Sequence, residues 1–145
     1  MIHETLEKFG YPKGLLFETT HWVILLRPNQ ITLGSMVIVA KGNAKRLGDT
    51  RSDSFAEFPV ICAKLEAALH HAFGASKLNY YALMMVDPHV HFHCIPRYEV
   101  APYFAGHTYK DVWWPGPVDM AQKMAITNEA WNQLLVMMRA APEFN

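Results

Sequence analysis

"HVHFHCIPRY", residues 89–98, sets a histidine at every second position: His89, His91 and His93. Residues i, i+2 and i+4 of an extended strand share one face, so the three imidazoles point one way. Val90, Phe92 and Cys94 then point the other way, into a core. The stretch predicts a strand with one apolar face and the histidines on the opposite surface or in a cleft. Only 8 of the 145 residues are histidine, which makes strict alternation by accident improbable.

Three uses of such a face stay open on the residues alone. It can be a polar sheet face that happens to use histidine. It can hold zinc, because two histidines two apart on a strand can share a metal through their ring nitrogens. Three same-face residues span about 13 Å of strand, so a further ligand has to come from elsewhere, and no Cys, Asp or Glu cluster offers itself. The third use is nucleophilic catalysis, which the alternation favours: a neutral imidazole attacks phosphorus and a second acceptor resolves the adduct. That chemistry needs a fixed tautomer and hydrogen-bond donors around the phosphate oxygens.

Working outward, "GLLFETTHWVILLRP" (14–28) reads as two strands turning at Thr19–Thr20 and stopped by Pro28. "SMVIVAK" (35–41) is a third strand, after Gly34 and before Gly42. Between 54 and 74 the period changes: Phe55, Phe58, Cys62, Leu65, Leu69 and Phe73 recur at three and four residues. This predicts an amphipathic helix with Gly74 as its stop, Ser54 and Glu57 as a capping box, and at Pro59 either a kink or a later start to the regular part. "KLNYYALMMV" (77–86) and "HVHFHCI" (89–95) follow as strands joined at Asp87–Pro88. After a turn-rich, aromatic stretch, Trp131, Leu134, Leu135 and Met138 mark a last helix at about 128–141. Strands flanking a helix predict an α+β fold with a mostly antiparallel five-stranded sheet.

Composition narrows the partners. At 51% hydrophobic and 18% charged residues, the chain has enough apolar material for a packed core. Thirteen Lys and Arg balance thirteen Asp and Glu, so no global field draws it to nucleic acid or to anionic lipid. Any anionic ligand has to be captured by a local site. The N-terminus lacks the basic start and continuous apolar run of a secretory signal, and no run approaches a membrane span. Cys62 and Cys94 form no C-x-x-C and read as thiols of a reduced, cytoplasmic protein. The expected organisation is a single domain over residues 1–145, with its core at about 10–100 and a C-terminal extension from 101 to 145.

"HVHFHCI" fits the pattern His-x-His-x-His-x-x, with x apolar, and in this respect resembles the histidine triad (HIT) superfamily of nucleotide hydrolases and transferases. The continuation "PRY" resembles its dinucleoside-polyphosphate hydrolase branch. The strands at 14–28 and 35–41, the helix at 54–74 and the strand at 77–86 follow the same order, so the resemblance covers roughly residues 10 to 100. It implies that His91 attacks the α-phosphorus of a nucleotide, that His93 contacts the phosphate, and that His89 supports the network orienting them. It further implies a two-fold homodimer sharing a ten-stranded sheet. The ligand would be a small-molecule nucleotide, with no cofactor for the covalent step beyond a divalent cation complexed to some polyphosphates. A nucleotidyltransferase or phosphorylase would use the same intermediate, and a nucleotide-binding module would retain the triad without efficient turnover.

The sequence also departs from that pattern. Ser35 stands where many members carry a fourth histidine, and Arg27 stands where an Asp or Asn often holds the ribose hydroxyls. "MMVDP" (84–88) replaces a Gly-Gln-Ser/Thr loop that supplies donors to phosphate and leaving group. Arg27 suits bidentate contact with a phosphate or carboxylate; its alternative is a solvated charge at a strand end. Ser35 is a replacement hydroxyl donor or a small strand-initiating residue. Arg97 lies close enough in sequence to reach a polyphosphate, or else pairs with Glu99. Arg27, Ser35 and Arg97 are therefore the nucleotide-binding candidates beside the three histidines. Lys41, Lys45 and Arg46 read as a solvated cluster or a guide for an anionic substrate, Trp113–Trp114–Pro115 as a packing segment or a stack for a base, and His70–His71 as helix-end residues.

Overall fold

The computed structural model describes residues 2–145. In chain order the main elements are α1 (Glu4–Lys8), β1 (Leu15–Glu18), β2 (Trp22–Leu26), β3 (Met36–Ala40), α2 (Ser52–Phe73), β4 (Lys77–Tyr81) and β5 (His91–Arg97). A two-stranded hairpin, β6 (Tyr103–Phe104) and β7 (His107–Thr108), and the helix α3 (Asn128–Arg139) complete them. The five longer strands form one antiparallel sheet in the order β1-β2-β3-β5-β4. The histidine strand is thus second from the edge, between β3 and the edge strand β4. No helix among the described residues is long and apolar enough to cross a membrane.

The register explains which side chains share a face. Val39 pairs with His91 and Val37 with His93, so these valines and histidines lie together. On the opposite face Trp22, Ile24, Leu26, Met36, Ile38 and Cys94 pack under Ile61, Leu65, Ala68 and Leu69 of α2. Phe55 and Phe58 of that helix close on Trp22 and Phe92, with the Phe58 and Phe92 rings 4.6 Å apart. Every residue of β2 and β3 is buried. The continuous apolar runs WVILL and MVIVA follow from this, because strands covered on both faces need no polar alternation.

The cover on the histidine side is α1, whose Leu6, with Phe9 just beyond, packs on Val23, Leu25, Val37 and Val39. The histidines therefore do not line an open sheet surface. This short helix is stabilised by its cap: the ring Nδ1 of His3 accepts the Leu6 N–H at 3.3 Å. Five residues with one good cap are marginal alone, so α1 depends on its packing against the sheet.

Several boundaries differ from the sequence reading. Helix α2 starts at Ser52 rather than Ser54, with Arg51 in the N-cap position. The expected capping box does not form. The Ser54 hydroxyl donates to the Arg51 carbonyl, and Glu57 accepts from the backbone and ring of His21. Pro59 sits within a helix that continues to Phe73. Gly74 ends it in the left-handed conformation at φ 72°, donating its N–H to the His70 carbonyl. Strand β4 stops at Tyr81, not 86, and β5 begins at His91, not 89, and runs on to Arg97. Residues 82–86 consequently leave the sheet and expose Leu83, Met85 and Val86.

Candidate functional site

The three histidines are brought together, but by two different kinds of backbone. His91 and His93 are ladder residues of β5, with ring centroids 4.8 Å apart and edge to face. His89 precedes the strand, and the adjacent Val90 is tied by its N–H to Ala44 and by its carbonyl to the N–H of Ala40. His89, His91 and His93 are only 5%, 2% and 5% exposed. Phe9 supplies much of that cover, its ring centroid lying 5.3 Å from His91 and 5.4 Å from His93.

Hydrogen bonding assigns the protons. His91 Nδ1 is 2.7 Å from the His89 carbonyl oxygen. A carbonyl only accepts, so Nδ1 carries the proton and Nε2 is left with its lone pair. Nδ1 of His93 is approached at 3.2 Å by the Nε–H of Arg27. A guanidinium only donates, so this Nδ1 is bare and His93 presents an Nε2–H. The two neighbouring rings are therefore opposite tautomers: one offers a lone pair, the other a proton.

His89 is anchored from α1. Its N–H donates to the Thr5 hydroxyl at 3.4 Å, and the same hydroxyl lies 2.9 Å from its Nδ1. His3 stacks on its ring at 3.8 Å and 3° between planes, while His3 Nε2 donates to the Ala40 carbonyl. Burial lowers the pKa of all three histidines of the triad. His93 is pushed down to about 3, first by burial, then by Arg27 and His91. Neutral imidazoles are the state in which a nitrogen can act as nucleophile or donate selectively.

Arg27, just beyond β2, is half-buried with its guanidinium carbon 5.8 Å from the Phe9 ring centroid. Asp87 attracts both Arg27 and protonated His91, and is itself paired with Lys8 of α1 at 2.8 Å. The "MMVDP" connection therefore brings a carboxylate near the triad, although Met85 and Val86 are exposed.

The other two nucleotide-binding candidates are placed differently. Ser35 is fully buried; its hydroxyl accepts from Ile31 and Thr32 N–H and donates to the Thr32 carbonyl. Its three bonds organise the 30–35 turn. Arg97 is 4% exposed and bonded to both Asp111 oxygens, to Asn79 and to the Gly116 carbonyl. Its partner is Asp111, not Glu99, and it ties the tail to the far end of the histidine face. Trp113 packs there with Ile31, Ile95 and Val118. Neither Ser35 nor Arg97 joins the cluster around His91. His3, Thr5, Lys8, Phe9 and Asp87 do, and sequence reasoning passed over all five.

Among the described residues no three His, Cys, Asp or Glu side chains are arranged to hold a metal ion. What β5 and its approach assemble is a buried row of three imidazoles, two of them with assigned protons, on a five-stranded antiparallel sheet backed by one long helix. These are the features of a histidine triad protein. The chain belongs to the HIT family, whose domain profile matches residues 9–100. Proteins of this family are generally nucleotide-binding hydrolases or transferases.

Solved structures agree in fold. A histidine triad protein from Bradyrhizobium japonicum superposes with a TM-score of 0.72 at 18% identity, covering 97% of this chain and 96% of that one. One from Marinobacter aquaeolei gives 0.70 at 23% identity, with 99% and 95% covered. A hypothetical histidine triad nucleotide-binding protein from Sulfolobus tokodaii gives 0.65 at 17% identity, with 88% and 82% covered. No curated protein matches the sequence.

Proposed function

We propose that the protein is a nucleotide hydrolase that cleaves a phosphoanhydride or phosphoramidate bond through a covalent nucleotidyl-His91. The observation that carries this reading is the bond from His91 Nδ1 to the His89 carbonyl. It leaves Nε2 unprotonated before attack, so no base has to remove a proton from the nucleophile. Nε2 attacks the α-phosphorus, a P–N bond forms, and the bond to the leaving group breaks. A phosphate departs as its anion; an amine departs as the neutral amine with a proton taken from water, which the water of the second step returns to solvent. The ring becomes cationic, and its Nδ1–H stays on the His89 carbonyl, which holds the new charge. The Nε2–H of His93 donates to a phosphate oxygen, where negative charge develops. Water then displaces His91, giving a nucleoside monophosphate and the original neutral imidazole. Transfer to another acceptor would use the same intermediate. The covalent step as proposed calls on no metal ion, and a divalent cation would come only as counter-ion of a polyphosphate substrate.

The test is single-turnover incubation with a labelled dinucleoside polyphosphate and with an adenylyl phosphoramidate. Expected are a covalent label and released product in the native protein, and loss of both in His91→Asn with ligand binding retained. Persistent activity in His91→Asn moves the nucleophile elsewhere.

A second reading is favoured by the near-complete burial of the triad under Phe9 and α1. A site closed this tightly suits a nucleotide-binding module with slow turnover. Tight binding of both substrates without label or product supports it over the first.

The same reading includes a second copy of the chain. Strand β4 is one edge of the sheet; the other, β1, has its Leu15 carbonyl bonded by Arg139 of α3, and Leu83, Met85 and Val86 are exposed just beyond β4. Pairing of two β4 edges would satisfy the open ladder and cover apolar surface. Sedimentation at micromolar concentration is expected to show twice the chain mass, and a single-chain mass overturns it.

A further inference from the structure

We infer that Arg27 is a positioning and specificity-determining residue: its Nε–H fixes the tautomer of His93, and its free Nη2 takes a second anionic group of the substrate, beside the phosphorus that His91 attacks. This rests on the proposed reaction at His91.

Each nitrogen of this guanidinium has a distinct position. Nε donates to His93 Nδ1 at 3.2 Å and Nη1 donates to the Asn29 carbonyl at 2.8 Å. Nη2 makes no hydrogen bond among the described residues. No buried side-chain nitrogen or oxygen there lacks a partner, so Nη2 is reached by solvent. The side chain is held at two nitrogens and against the Phe9 ring, with its third nitrogen open. That arrangement is pre-organised for one further acceptor, and a planar fork loses little freedom in taking it.

The local charge asks for the same partner. Arg27 is partly desolvated, which lowers its pKa, and the carboxylate acting on it is Asp87. Asp87 is already paired with Lys8. Lys8, Arg27 and Asp87 leave one uncompensated positive charge beside His91, and burial keeps the surrounding imidazoles neutral. Neutral hydroxyls of a sugar would leave that charge unmatched, whereas a phosphate or carboxylate oxygen would pair it through Nη2 in a charge-assisted bond. The chemical class is therefore a nucleotide carrying a second phosphate. That phosphate can be the next phosphoryl of a polyphosphate chain or a monoester on the sugar.

Three substrates distinguish these cases: an adenylyl phosphoramidate, its 3′-phosphorylated form, and a diadenosine polyphosphate. In the native protein kcat/KM is expected to be about tenfold or more higher for one of the two doubly anionic substrates than for the first, and which one identifies the source. Arg27→Gln is expected to erase that preference, mainly through KM. It should also move the acid limb of the kcat profile upward, because His93, faced by Arg27 and His91, loses its cationic neighbour. Arg27→Lys restores charge but not both bonds, so it should recover only part of the preference. No native preference, or an equal loss on all three substrates in Arg27→Gln, overturns the inference.

Should no substrate turn over, the proposed reaction fails while the anion subsite is still read directly by calorimetry. Inorganic pyrophosphate bound by native protein and lost in a folded Arg27→Gln supports the subsite. Absence of binding to the native protein overturns it.

Discussion

The Nδ1 of His91 lies 2.7 Å from the carbonyl oxygen of His89, two residues behind it on the same strand approach. One backbone acceptor thereby determines which ring nitrogen of the central histidine is free. The neighbouring ring, His93, is set in the opposite sense by Arg27. The chemistry proposed for the site follows from this pair of tautomers more than from the three histidines as such.

Acid should destabilise the protein through His93. Its pKa falls from about 6.5 in the unfolded chain to about 3 in the folded one. Between those values the unfolded state binds the extra proton, so stability is full above pH 6.5 and declines as pH falls toward 3. The slope from this one group is about 1.4 kcal/mol per pH unit. Urea unfolding at pH 7, 6 and 5 measures it, and His93→Gln should reduce the slope by that amount; an unchanged slope contradicts the assignment.

Arg97→Ala should unfold the tail-to-sheet junction without touching nucleotide affinity. Removal strands Asp111 as a buried carboxylate, and breaking a buried pair on one side costs about 3–5 kcal/mol. Denaturation reads the stability, and titration with a non-hydrolysable nucleotide reads the affinity. A selective loss of affinity at unchanged stability would return Arg97 to the binding site.

Thr5→Val removes the hydroxyl shared by the N–H and Nδ1 of His89. Two buried polar atoms lose their partner, at a cost of about 1–3 kcal/mol. Labelling of His91 should slow as well, since the His89 carbonyl that orients it loses its anchor. Destabilisation with no change in labelling rate would confine Thr5 to a packing role.

Gly34→Ala tests how tightly the turn before β3 is packed. Gly34 has φ +89°, and an added Cβ would lie 2.6 Å from Leu69 Cδ2. Strained backbone alone costs about 1–3 kcal/mol, and the contact adds to it. A lowered denaturation midpoint with unchanged nucleotide labelling is expected.

Much of this fold is legible in local pattern. The runs WVILL and MVIVA are long enough to read as buried strands, and Phe55 to Phe73 keep helical spacing throughout α2. Pro59 predicts a kink or a later start to the regular helix because it removes one donor, and the helix begins at Ser52, seven residues before it, and continues past it. Alternation at 89–93 brought the three histidines together in sequence, and the register with Val37 and Val39 brings two of them together in space. The cover over them was not legible. Glu4–Lys8 is five residues long, is capped by a histidine, and owes its order to the sheet beneath it. Arg97 is a similar case, since its partner Asp111 stands 14 residues away in a turn-rich segment without periodicity. Asp87 was visible only as half of an Asp-Pro turn. Its nearness to His91 depends on where β5 starts.

The most direct measurement is the mass and site of the adduct formed when native protein is mixed with a labelled nucleotide substrate and quenched in alkali, where a phosphorus–nitrogen bond to histidine survives. Expected is one nucleoside monophosphate per chain, mapped by peptide fragmentation to His91 and carried on Nε2, with none in His91→Asn. Product formed with no adduct at any time point, or an adduct on another residue, would contradict nucleophilic attack by His91.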